Sequence, residues 1–201
     1  MLFEVSIVIA AIVLVGWLVW YMRAQKPATT AQQLILEHRY AEAAAMQTND
    51  SAGYLHRAEA LKLLGRFDEA IEAYGHSDDP AAREGIALTL AHLRRDLDRA
   101  KKMMEETIAL HPQIQEFQAL GLAYILLRAG DREGALRVYR DNIELLETRF
   151  RDDYTDPDPL LAETLVMFAA LADANSDDHA AELLRARAAA WAPGSVWARA
   201  S

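Results

Sequence analysis

The chain has 201 residues, a formal net charge of −9, no cysteine, and 52% hydrophobic residues. That length and apolar share suffice for a buried core. The negative field disfavours nucleic acid and anionic lipid headgroups as partners, and the missing thiols exclude disulfides, thiolate metal sites and cysteine nucleophiles together.

The first segment, Leu2 to Tyr21, reads LFEVSIVIAAIVLVGWLVWY and carries no charge from Ile7 onward. Roughly 20 residues of this kind cross the hydrocarbon core as a helix, so residues 1–22 are expected to be a transmembrane helix and 23–29 a juxtamembrane linker. Trp17, Trp20 and Tyr21 crowd its C-terminal end, and Arg23 and Lys26 follow. Amphipathic rings favour the headgroup level and basic residues favour the cytoplasmic side, so these five are the expected membrane-interface residues. A cleaved signal peptide would need a basic leader and a small-residue cleavage site, whereas this leader holds Glu4. The expectation is a single-pass inner (cell) membrane protein with its soluble domain in the cytoplasm.

Beyond Pro27, β-branched residues thin out and Ala, Leu, Glu and Arg recur at helical spacing, which predicts an all-α domain over 30–192. One phrase returns along it: HRYAEAAAM, GRFDEAIEAY, RDLDRAKKMM, GDREGALRVY and the weaker SDDHAAELL. These place anchoring alanines at Ala43, Ala70, Ala100, Ala135 and Ala180. Twelve residues upstream stand Ala31, Ala58, Leu88, Ala123 and Phe168, so two helices joined by a short turn meet where side chains are small. Gly65 and Gly130 suit left-handed helix ends. Asp79 before Pro80 and Asp158 before Pro159 read as N-caps followed by first-turn prolines, and Pro112 marks a helix end. ETRFRDDYTDPDP, between the fourth and fifth phrases, either lengthens a helix or forms a surface loop.

These residues resemble the tetratricopeptide repeat (TPR) family. The best-matching unit carries Tyr54, Ala58, Leu61, Gly65, Phe67, Ala70, Tyr74 and Pro80; the next matches through Ala87, Leu88, Ala100 and Pro112, and the one after through Leu122, Ala123, Gly130, Ala135 and Tyr139. The resemblance implies a TPR-like helix-turn-helix solenoid of about five helix pairs, with uneven spacing between units. An ordinary helical bundle is the competing architecture.

The resemblance also implies that the first helices of the pairs line a partner-binding groove. Its wall would hold Lys62, His92, Phe117, Tyr124, Leu127 and Arg128, together with Leu55, Glu59, Thr89 and Leu120. Aromatic and Arg side chains dominate interface energies, which singles out Phe117, Tyr124 and Arg128; Phe117, Leu120 and Leu127 could equally pack between units. The family's carboxylate clamp is not supported, because Lys62 and Arg128 lack a matching Asn. The tail 193–201, with Pro193, Gly194, Val196 and Trp197, either caps the last pair or docks on another subunit, capping being the favoured reading.

Catalytic and ligand motifs are missing. His38, His56, His76, His92, His111 and His179 form no i, i+4 pair, and no phosphate loop or nucleophile elbow occurs. The expectation is therefore no enzyme, no cofactor, no metal, no nucleic acid and no small-molecule substrate. The leading function is a membrane-anchored scaffold whose partners are other proteins, in assembly or regulation of a membrane or envelope complex. The alternatives are a permanent accessory subunit of a larger integral membrane complex and an extracytoplasmic chaperone-like TPR protein.

Overall fold

The computed structural model describes residues 30–110, 115–152 and 156–199. The expected anchor 1–22 with Trp17, Trp20 and Tyr21, the linker 23–29 with Arg23 and Lys26, and the helix-ending Pro112 lie outside the described residues. Among the described residues there is no strand, and no helix is long and apolar enough to cross a membrane.

Among the described residues ten α-helices follow one another: α1 (Ala31–Leu36), α2 (Tyr40–Ala45), α3 (Ser51–Leu63), α4 (Phe67–Tyr74), α5 (Pro80–Leu93), α6 (Leu97–Leu110), α7 (Gln115–Arg128), α8 (Arg132–Asp152), α9 (Ala162–Ala174) and α10 (Asp178–Trp191). They form five successive pairs in a solenoid-like stack. Side-chain caps set several starts. Thr30 and Gln33 close a capping box on α1, Asp50 accepts from Gly53 N–H at 2.6 Å, and Asp79 accepts from Ala81 N–H at 2.8 Å beside Pro80 at the first helical turn. The segment after the fourth phrase lengthens α8 to 21 residues.

The same turn joins the two helices of every pair. Across His38, Gly65, Arg94, Gly130 and Ser176, all with φ between 52° and 89°, the next residue donates its N–H to a carbonyl five residues back. The five bonds are Arg39 to Leu34, Arg66 to Leu61, Arg95 to Leu90, Asp131 to Leu126 and Asp177 to Ala172, at 2.8–3.0 Å. This is the left-handed helix stop in which a bond from beyond the turn satisfies a carbonyl the helix leaves open. Only two of the five use glycine; the others accept a left-handed backbone strain of about 1 kcal/mol each.

Measured from these turns, the alanine register becomes regular. Seven residues before each left-handed residue lies a buried alanine: Ala31, Ala58, Ala87, Ala123 and Ala169. Five residues after it lies Ala43, Ala70, Ala135 or Ala181; in the third pair a second left-handed residue, Asp96, lengthens the turn by one and places Ala100 six on. The expected pairing through Leu88, Phe168 and Ala180 is therefore shifted by one residue. Leu88 and Phe168 are buried beside the crossing positions, and Ala180 is half-buried while Ala181 is fully enclosed. The cause is local: Asp96 adds a residue, and Ser176 puts no glycine at the fifth turn.

Forcing bulk into a close crossing displaces backbone, so Ala181→Leu is expected to destabilise by about 2–3 kcal/mol, and Ala180→Leu by under about 1 kcal/mol, in urea unfolding. Equal losses, or the reverse order, would restore the other register.

Successive first helices touch one another (α1 with α3, α3 with α5, α5 with α7, α7 with α9), whereas the second helices pack mainly on first helices. The stack therefore bends with the first helices inside. The bend is tight enough that the 3₁₀ turn Pro159–Leu161, leading into α9, reaches back to α1. The start of the last pair thus lies along the inner wall of the units before it.

Candidate functional site

The inner wall carries a chain of hydrogen bonds that links one polar side chain from each of four first helices. The Tyr124 hydroxyl of α7 lies 3.0 Å from His92 Nδ1, and His92 Nε2 of α5 meets Glu163 Oε1 of α9 at 2.8 Å. Glu163 Oε2 lies 2.5 Å from Lys62 Nζ of α3, and Lys62 lies 3.1 Å from Glu59 Oε2 one turn earlier. Glu59 accepts in turn from the Tyr74 hydroxyl of α4, whose ring stands 5.5 Å from the Lys62 ammonium. With a proton on Nε2, both neighbours of His92 are satisfied, the carboxylate as acceptor on one side and the phenol hydroxyl on the other.

Burial sets the electrostatics. Lys62 and Glu163 are only 3% and 6% exposed. Burial opposes ionisation of Glu163, yet the Lys62 ammonium and the His92 hydrogen bond outweigh it and hold the carboxyl down at about 2. Burial likewise works against the Lys62 charge, while Glu163 and Glu59 together keep its pKa well above the usual lysine value. An amine held so firmly as ammonium serves as a bridging cation, not as a nucleophile. Desolvation raises Tyr74 and Tyr124 and keeps both as neutral donors. Glu84, at the edge of the network, is raised by burial.

The residues expected to form the partner wall divide accordingly. Lys62, His92 and Tyr124 belong to this internal network, and they face α9 in place of open solvent. Arg128 clamps the end of α5, donating Nε to Ala91 O at 3.2 Å and Nη2 to His92 O at 3.1 Å while lying 5.7 Å from the Tyr124 ring centre. Phe117 and Leu127 are half-buried and pack on the core. For Lys62 and His92 the structural reason is shared: α9 and the tail occupy the space that an open groove would leave to a partner.

What stays open is a cleft of about 270 Å³ between α3, α5 and α9, lined by Leu55, His56, Glu59, Lys62, Ala81, Glu84, Gly85, Leu88, Leu160, Glu163 and Thr164. Its mouth mixes apolar side chains with carboxylates. Among the described residues no group of three or more His, Asp or Glu is placed to hold a metal ion.

The tail forms the other side of the filled groove. After Pro193 and Gly194 the chain turns inward: Val196 N–H donates to Leu63 O at 2.9 Å, and Trp197 stands against His92 and Phe67 with ring centres 4.7 and 6.0 Å away. The tail therefore crosses to the second and third units. The expected cap on the last pair is met only in part, through packing of Trp197–Arg199 on α10.

Sequence reasoning passed over Glu163 and Trp197 as site residues. Glu163 had a readable signal, since it is one of only two acidic residues in AETLVMFAALADA, and a carboxylate inside so apolar a helix needs a buried cation. No protein-family model matches the chain, and no curated protein matches it.

Proposed function

We propose that the chain is a TPR-type scaffold, tethered to an inner membrane through residues 1–22, which holds other proteins in the assembly or regulation of a membrane complex. The observation that carries this reading is the fivefold recurrence of one turn and one alanine register in consecutive helix pairs. Such an array shares its core only between neighbours and leaves long surfaces for partners, which is why stacked helix pairs serve as binding platforms. The open cleft beside Leu55, Leu160 and Thr164 is the expected contact on the inner wall, because it brings partly exposed apolar side chains together with the carboxylates of Glu59 and Glu84.

The filled groove favours a second reading, a fixed accessory subunit whose solenoid covers one face of a larger membrane complex. A scaffold that stores its own helix inside its curve is stiffer than one left open for exchange. Replacing residues 1–22 with an unrelated span separates the two, since a tether tolerates the exchange and a packed subunit helix does not.

Cross-linking in native membranes followed by recovery of the full chain tests the scaffold. Thr164→Arg and Leu55→Glu, both at the cleft mouth, are expected to reduce recovered partner at least fivefold with unchanged anchor insertion. Equal recovery of the same partners from all three chains would remove the cleft from the reading. Protease access in sealed against opened cells tests the cytoplasmic placement; cleavage of the domain from outside would contradict it.

A further inference from the structure

We propose that the tail segment Ser195–Arg199 is a detachable latch, and that its seat, formed by the Leu63 carbonyl and the rings of Phe67 and His92, is a binding site for a protein segment presenting an aliphatic–tryptophan pair. The tail keeps its own shape. Within it Ser195 Oγ accepts from Ala198 N–H at 3.3 Å and Arg199 N–H donates to Val196 O at 3.2 Å, while Ser195 Oγ donates to Ala192 O at 2.7 Å across the turn that joins it to α10. It is joined to α10 through Pro193 and Gly194, both exposed, and Gly194 has φ 79° with open space where a side chain would stand. A segment that is internally bonded and joined through an exposed turn can leave its seat on α3 and α5 as a unit while it stays packed on α10.

The seat does not depend on the tail. The Leu63 carbonyl ends α3, where Arg66, Gly65 and Leu64 already take the carbonyls of Leu61, Lys62 and Ala60, so it is the acceptor that the helix stop leaves over. The equivalent acceptor at the next turn, His92 O, is taken by Arg128, and that at the last turn, Ala174 O, by Arg132 at 3.1 and 2.5 Å. At Leu63 only the Val196 amide fills this role among the described residues. The His92 ring is fixed from both sides by Tyr124 and Glu163, so the aromatic wall stays in place when Trp197 withdraws. The fit is also imperfect, because the Trp197 indole N–H is buried without an acceptor among the described residues, and a buried unpaired donor weakens the tail's hold. A partner segment that repeats the amide and the ring while satisfying the indole would displace it.

This rests on the scaffold reading only for the existence of a partner, and the test needs none. A labelled peptide of sequence APGSVWARAS is titrated by fluorescence anisotropy against the full chain and its Trp197→Ala variant. In the unmodified chain the tethered tail competes at an effective concentration near the millimolar range, so the variant is expected to bind the peptide at least tenfold more tightly. Adding Phe67→Ala to that variant, or replacing the peptide's tryptophan by alanine, is expected to abolish the gain. Equal affinity of the two chains, or equal binding of the peptide without tryptophan, would overturn the proposal. If circular dichroism shows that Trp197→Ala does not fold, hydrogen exchange of the unmodified chain decides: the Val196 amide is expected to exchange at least tenfold faster than that of Ile125 in α7, and exchange as slow as that of Ile125 would overturn the latch. Failure here leaves the cross-linking outcome untouched, so the two readings fall separately.

Discussion

Lys62→Met is expected to destabilise the protein by about 3–5 kcal/mol in urea unfolding at neutral pH, the range for breaking a buried ion pair by removing one partner. The substitution keeps the volume of the stem but leaves the buried Glu163 and the half-buried Glu59 without their shared cation. Its pH dependence is the sharper signature. In the unmodified chain Glu163 titrates at about 2, below its unfolded value near 4.5, so its contribution is fully present above about 4.5 and is lost as pH falls towards 2. Without Lys62 the same carboxyl is left with burial as its dominant influence and binds a proton at higher pH, which relieves the mutant as the solution is acidified. The difference between the two chains is therefore expected to shrink between pH 6 and pH 3. A difference constant over that range would mean that the pair does not carry the stability assigned to it.

Gly85→Ala is expected to cost about 1–2 kcal/mol despite removing a glycine from a helix interior. A Cβ at Gly85 would stand 2.3 Å from Tyr74 Cζ and 2.7 Å from its hydroxyl oxygen. The ring cannot yield, because Tyr74 is fully buried and its hydroxyl is committed to Glu59. Overpacking of this kind costs about 1–3 kcal/mol and outweighs the gain of up to about 1 kcal/mol from helix propensity. Gly121→Ala is the control, since its Cβ would meet the flexible end of Met104 at 2.8 Å. A methionine tip repacks, so the loss there is expected to be less than half as large. Comparable losses at the two positions would show that Tyr74 is not the rigid wall described.

The helix pairs were legible because their physics is local. Glycines at 65 and 130 mark left-handed stops, Asp79 and Asp158 mark starts, and small residues repeat at a fixed distance from the turns. The same locality explains the slips of one residue at Leu88, Phe168 and Ala180. There the left-handed positions are Arg94, Asp96 and Ser176, residue types that the surrounding structure forces into a conformation they rarely choose. What the periodicity could not convey was the return of α9 and the tail into the groove. That return rests on pairings across long stretches of chain, Glu163 with His92 and Lys62 and Val196 with Leu63, and no helical spacing encodes them. The outward-facing reading of Lys62, His92 and Tyr124 followed from treating the inner wall as empty. Polar side chains on first helices look alike in sequence whether they await a partner or meet a carboxylate from the same chain.

The start of α9 reaches α3 inside the curve of the stack through the Lys62–Glu163 pair, and a double-mutant cycle between Lys62→Met and Glu163→Gln measures that directly. If the two side chains meet as described, the double variant is expected to be more stable than the sum of the single losses predicts by at least about 2 kcal/mol. Losses that add to within about 0.5 kcal/mol would place the two residues apart and contradict the folded-back arrangement.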